Sequence, residues 1–259
     1  MGWLMEPIYY AISWILLRWH WVWEHILPGG SFLGTNWDWV LAIVFLVITI
    51  RVILFPIFKK QIRSQRAMQA LQPKVKELQQ KHKGDQQTLR EEMMKLYQTE
   101  KVNPLMGCLP LLLQIPVFIS LYYMLKGDSF QMDVQNSPPE GFLFIPSLIQ
   151  PPEGAVAAVL VVLFIVTQLA SGLAMTVRGQ GMEGPQKYII YGLPFLFAPF
   201  VLQFEAALSV YWISTNLWTL GQQQVVHTIL GPVKKPTEEE IKAAKPPPPP
   251  PRRKKKRRR

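Results

Sequence analysis

The chain has 259 residues, of which 49 % are hydrophobic and only 17 % charged, yet its formal net charge is +11. Soluble domains carry about 25 % charged residues, so a chain both apolar and basic points to a membrane protein whose basic ends collect on the cytoplasmic side. A single cysteine, Cys108, excludes an internal disulfide framework and a thiolate metal cluster and reads as a small apolar packing residue.

The first apolar run, IYYAISWILLRWHWVWEHIL (Ile8 to Leu27), lacks the basic start and small-residue cleavage site of a signal peptide. Arg18, His20, Glu24 and His25 interrupt it, and Trp14, Trp19, Trp21 and Trp23 crowd it. Tryptophan favours the headgroup level, so residues 1–36 are expected to form an amphipathic interfacial helix. A sixth membrane span is the open alternative.

Crossing the hydrocarbon core takes about 20 apolar residues. Five segments qualify. The first runs from Trp39 to Phe58, within a first-span region 37–58. The others are Pro104 to Leu125, Ala155 to Val177, and two that share the run from Tyr188 to Leu230, divided by a tight turn near Gln203 to Ala207 at Glu205. Together they make residues 104–230 four further spans. The loop from Lys59 to Asn103 has eleven basic and five acidic residues, net +6, and the loop from Lys126 to Gly154 is net −3. The Arg178–Lys187 loop has two basic residues and one acid, and the turn at Glu205 has no basic residue. The segment from Gly231 to Arg259 is net +9. Basic and non-basic loops alternate, which places the N-terminus outside and the C-terminus in the cytoplasm.

Within residues 59–103, Leu71, Val75 and Leu78 recur at helical spacing, as do Leu89, Met93, Leu96 and Tyr97, with Gly84 and Asp85 between the two stripes. This pattern predicts a cytoplasmic antiparallel helical hairpin. Residues 231–259 form a basic, proline-rich cytoplasmic tail. Its proline run makes a stiff spacer of about 3.1 Å per residue. Its eight final cations, Arg252, Arg253, Lys254, Lys255, Lys256, Arg257, Arg258 and Arg259, cannot fold alone and seek polyanions, either RNA phosphates or anionic lipids.

Arg51 sits inside an otherwise apolar span. Three readings compete. It snorkels to the cytoplasmic interface, about 10 Å away along a helix; it pairs with a buried carboxylate; or it lines a water-filled cavity open to the cytoplasm. The spans offer no acid for the second, since Glu205 lies at the opposite end. The third is supported by Gln114 and Ser120, by Thr167, Gln168 and Ser171, by Gln203, and by Ser209, Ser214, Thr215, Asn216 and Thr219, although each alone could be interhelical glue. Without an intramembrane Asp or Glu relay, coupled proton transport has no path. There is no G-x-S-x-G, H-E-x-x-H, P-loop or dinucleotide fingerprint. His227 and Ser209 stand too far apart on one span for a dyad. A positive cavity without catalytic machinery suits transient binding of polar, often acidic, peptide.

Three stretches also resemble a known family, the YidC/Oxa/Alb membrane protein insertases. VNPLMGCLPLLLQIPVF (Val102 to Phe118) resembles its second conserved span. TIRVILFP, followed by KK and LQPKVKELQQK, resembles its first conserved span entering a cytoplasmic hairpin. LSVYWISTNLWTLGQQQ (Leu208 to Gln224) resembles its last span. The resemblance covers most of residues 37 to 230. It implies an all-α, polytopic fold with five transmembrane helices around a hydrophilic groove open to the cytoplasm and closed toward the outside. Arg51 is then the groove arginine, and by position Gln114, Gln168, Tyr211, Trp212 and Asn216 are groove or substrate-contact candidates. The hairpin recruits or regulates substrate, and the basic tail docks ribosomes. The implied activity is non-enzymatic and cofactor-free: insertion and folding of nascent membrane proteins in a bacterial cell membrane, as a monomer, alone or with the Sec translocon. A membrane assembly scaffold and a small anion channel are the rival readings. The family often has a Pro-Ser-Gly or Pro-Ala-Gly turn before its last span, where this chain has FEAALSVYW. No large domain separates the N-terminal helix from the first conserved span, which fits a compact bacterial form, and no Arg- and Ser-rich transit segment suggests an organellar one.

Overall fold

The computed structural model describes residues 5–27, 31–32, 35–103, 109–136, 141–177 and 185–231. The N-terminal helix α1 (Glu6–Ile26) has a proline in its first turn, where the fixed φ suits the helix and the missing N–H is not needed. A two-stranded antiparallel ribbon follows, β1 (Ser31–Phe32) and β2 (Thr35–Asn36), pairing Ser31 with Asn36 and Phe32 with Thr35. Among the described residues, regular structure is helical except for this ribbon and an isolated bridge between Phe142 and Ile145. The Asn36 side chain then caps α2 (Trp37–Ile53) by accepting from the Trp39 amide.

The first expected span does not run straight to Phe58. It stops at Ile53, and α3 (Phe55–Ala70) continues at 66° to α2. Pro56 explains the break: it lacks an N–H for the carbonyl four residues back and its ring crowds that carbonyl. The polar arm likewise has three helices where two are expected. These are α3, α4 (Gln72–Lys81) and α5 (Gln86–Thr99), with Pro73 at the start of α4. Leu71 and Val75 are buried, while α5 buries no residue fully. The turn before α5 passes through Gly84 at φ +96°, a conformation cheap only for glycine.

Next come α6 (Leu109–Leu125), α7 (Asp128–Asn136), α8 (Gly154–Val177), α9 (Pro185–Val201) and α10 (Ala206–Leu230). Residues 104–108 of the second expected span lie outside the described residues. The short α7 is not foreseen by the sequence; it buries Phe130 and Val134 one turn apart. The chain reverses between α9 and α10 at residues 202–205. Among the described residues, only α8, over Gly154–Ala174, is by itself long and apolar enough to cross a membrane, and the bent α2–α3 pair passes the same test together. Leu112–Leu125 and Tyr191–Val201 are apolar but shorter.

The core is lopsided, and this positions the site. The buried apolar cluster draws on residues 39–47 of α2, 117–125 of α6 and 206–211 of α10, with Phe130 and Val134 of α7 and Leu148 and Ile149 of the loop before α8. All of these lie at one end of the bundle. The α1 helix adds Ile12 and Leu16, sets Trp19 and Trp23 on Phe45 at 4.7 and 4.9 Å, and donates from Trp19 to Thr49 at 2.9 Å. The His20 ring stacks on Trp39 at 3.7 Å and reaches Asp38 at 3.3 Å. So α1 touches α2 from Asp38 to Thr49, roughly 16 Å along that helix, and belongs to the bundle.

Candidate functional site

At the other end of the bundle the apolar core gives way to polar side chains. Arg51 stands in the last turn of α2, where a cation suits the negative end of the helix dipole. It is only 8 % exposed. One guanidinium nitrogen donates to Thr219 Oγ1 on α10 at 3.2 Å. The group also lies over the Phe58 ring at 4.7 Å, a cation–π contact. A snorkelling side chain would be exposed, and this one is turned into the bundle between a hydroxyl and a ring.

Two further contacts carry the polar seam across the bundle. Gln114 of α6 donates to the hydroxyl of Tyr211 on α10, about two helical turns before Thr219. Asn216 ties α10 to α8: its side-chain amide donates to Thr167 at 3.2 Å, and its carbonyl accepts from Ser171 at 3.0 Å. Further along α10, Gln223 buries both ends of its amide without a hydrogen-bond partner.

Of the expected site residues, Arg51, Gln114, Tyr211 and Asn216 each enter a polar contact between α10 and another helix. Trp212 does not. It faces an aromatic cluster, stacked on Phe118 at 5.3 Å and meeting Phe164 and Phe204 at 5.6 and 6.1 Å. Gln168 is half-buried on α8 beside Thr167 and enters none of these contacts among the described residues. The cations Arg252 to Arg259 lie outside the described residues. Thr219 is expected only as one of several polar groups on the last span, and Phe58 and Gln223 are not among the expected site residues. One signal was available: Tyr211, Thr215, Thr219 and Gln223 recur every fourth residue, which lines one face of a helix. No group of three potential metal ligands occurs among the described residues.

The polar arm is tied to the base of the bundle. Arg66 of α3 donates to the Gly231 carbonyl at the end of α10 at 2.9 Å, and Ser64 donates to the Asn103 carbonyl at 3.2 Å. Within the arm, Lys74 pairs with Glu100 at 2.5 Å. Asp85 caps α5 through the Thr88 hydroxyl and amide at 2.6 and 3.0 Å, and these bonds hold its carboxyl below the ordinary aspartate value. Beyond the apolar end of the bundle, Lys126 pairs with Glu205 at 3.5 Å, and the charge of Glu205 raises the Lys126 ammonium above its ordinary value.

A family model described as the 60Kd inner membrane protein matches residues 31–232. A membrane protein insertase YidC of Streptomyces avermitilis is 36 % identical over 253 residues, covering 86 % of this chain and 58 % of its own length. The membrane protein insertase YidC of Mycobacterium tuberculosis is 31 % identical over 287 residues, covering 92 % of this chain and 75 % of its own length. The chain thus spans little more than half of the first of these relatives. A crystal structure of an active YidC insertase with its first transmembrane domain resolved superposes with a TM-score of 0.62 at 22 % identity, over 88 % of this chain and 47 % of that one; it carries the fold. Matched across most of its length, the chain belongs to the 60Kd inner membrane protein family, the polytopic YidC/Oxa1 membrane protein insertases.

Proposed function

We infer that this chain inserts and folds nascent membrane proteins, without enzymatic chemistry, through a hydrophilic groove between five spans that opens to the cytoplasm. One observation carries the reading. The bundle is dry at one end and polar at the other, and the polar end holds a buried arginine whose partners are a hydroxyl and a ring. Such an arginine keeps its charge available for an acidic ligand. Moving a polar tail through hydrocarbon is costly because its charges lose hydration. A polar seam reaching partway through the bilayer shortens the dry path, and Arg51 draws acidic residues into it. The substrate's apolar segment then slides into lipid, driven by about 25 cal/mol per Å² of apolar surface removed from water.

The charge alternation of the loops supports an N-terminus outside and a C-terminus inside, which makes the dry end the outer one. The tryptophans and charges of the N-terminal helix suit the membrane interface, from which it packs against α2. The polar arm and the basic tail then face the cytoplasm, where the arm meets substrate and residues 252–259 meet ribosomal RNA or anionic lipid. The protein works as a monomer, alone or beside the Sec translocon.

The test is the insertion rate, in proteoliposomes, of a single-span substrate with an acidic tail. Arg51→Ala is expected to slow it roughly tenfold, the scale of one lost charge-assisted hydrogen bond, and Arg51→Lys to slow it less. Equal rates for the two variants contradict a role for the charge.

A further inference from the structure

The groove makes no use of the ion pair at the opposite end of the bundle. Glu205 immediately precedes α10 and is 5 % exposed, yet its side chain does not cap that helix. Its Oε1 lies 3.5 Å from Lys126 Nζ, and its buried Oε2 has no hydrogen-bond partner. The amides that would ordinarily hold a carboxylate at a helix start are engaged elsewhere. The Ala206 amide donates to the Gln150 carbonyl and the Ala207 amide to the Leu148 carbonyl, both at 3.0 Å. A buried carboxylate is costly without a counter-charge, and Lys126 supplies it from just beyond the end of α6.

The pair is also wired to the aromatic cluster. Lys126 lies over the Tyr122 ring at 5.2 Å, and Tyr122 meets Phe204 edge-on at 5.4 Å. Phe204, the neighbour of Glu205, meets Trp212. Along α10, Glu205 is about 20 Å from Thr219, the partner of Arg51. The ion pair joins the end of α6 to the start of α10, and the neighbouring Ala206 and Ala207 amides join that start to the loop at 148–150.

We propose that Lys126 and Glu205 form a clasp that fixes the start of α10 against α6 and the 148–150 loop, and so keeps the polar seam closed at its non-cytoplasmic end. Both are positioning residues and touch no substrate. The inference rests on the insertase reading only for which end is the outer one.

The test is the labelling rate of a cysteine at position 209 (Ser209→Cys, with Cys108→Ser) by a membrane-impermeant maleimide added outside right-side-out membrane vesicles. Ser209 is 1 % exposed in the first turn of α10, so the closed parent labels slowly. Lys126→Gln, at a half-exposed position that folding tolerates, is expected to raise the rate about fivefold, the lower end of ordinary coupling between sites. Glu205→Gln is expected to do the same, the double variant to label no faster than the quicker single one, and Lys126→Arg to match the parent. An unchanged rate in Lys126→Gln, or two independent multiplying effects in the double variant, overturns the clasp. Insertion by the parent is scored separately. A parent that labels as expected but does not insert sinks the insertase reading and leaves the clasp standing.

Discussion

Arg51 is tolerable inside the bundle because three local features offset its burial: the end of its own helix, the Thr219 hydroxyl and the Phe58 ring. Its oddity is legible in the sequence, since no other charge interrupts that run. Its partner is not, because Thr219 is 168 positions away and one threonine among several on the last span. Asn216 is similar. As a residue type it signals interhelical bonding, but only the fold says that Thr167 and Ser171 answer it. Thr167→Val removes the acceptor of the Asn216 side chain and is expected to lower stability by about 0.6 kcal/mol, the average for such bonds between membrane helices. Thermal unfolding in detergent measures it. The same substitution added to Asn216→Ala should cost almost nothing more, and a full additional loss would mean that the two do not act together.

At the scale of elements, apolar length found α8 and the run containing α9 and α10, because those signals are local. It overran the end of α2, where a proline outweighs an apolar neighbourhood, and it missed α7, whose two buried residues are too few to stand out. Pro56→Ala restores an N–H to the helical ladder and should reduce the 66° bend between α2 and α3. Spin labels placed on the two helices should then move apart, and an unchanged distance would assign the bend to tertiary packing. In the polar arm, α5 buries no residue fully, so its start depends on Asp85. Asp85→Ala should speed amide exchange over residues 86–89 in the full chain. Because the folded state lowers the Asp85 pKa, the cap is fully present above the ordinary aspartate value and is lost as pH falls through the lowered one. Protection of those amides, corrected for intrinsic rate, should decline in that acid window and not near neutrality. The basic tail makes a separate prediction. A chain ending at Pro251 should bind ribosomes more weakly and with a shallower salt dependence than the full chain, since counterion release scales with the phosphates contacted. Equal binding would remove the tail from ribosome docking.

For the whole molecule, the decisive property is the asymmetry of the interior. One end packs Trp39, Leu46, Leu121, Leu125 and Leu208 out of solvent, the other gathers Arg51, Thr219 and Gln223, and the Gln114–Tyr211 pair stands at the boundary between them. Composition announces a basic membrane protein, and charge alternation sets an expectation for its sense, but neither could show that the polar residues of four separate segments meet partners on other helices. That pairing depends on helix packing over long sequence separations. Tyr211 and Trp212, adjacent in sequence and about 100° apart around α10, meet different neighbours, Gln114 and Phe118. Gln114 lies in the seam beside Tyr211, which makes it the most direct reporter on whether substrate enters. The measurement is a photocrosslinker at position 114, challenged in membranes with a ribosome-stalled, single-span nascent chain. A groove that receives substrate gives a crosslink that needs the nascent span and weakens in Arg51→Ala. Efficient insertion in the same sample without any crosslink at 114 would contradict it.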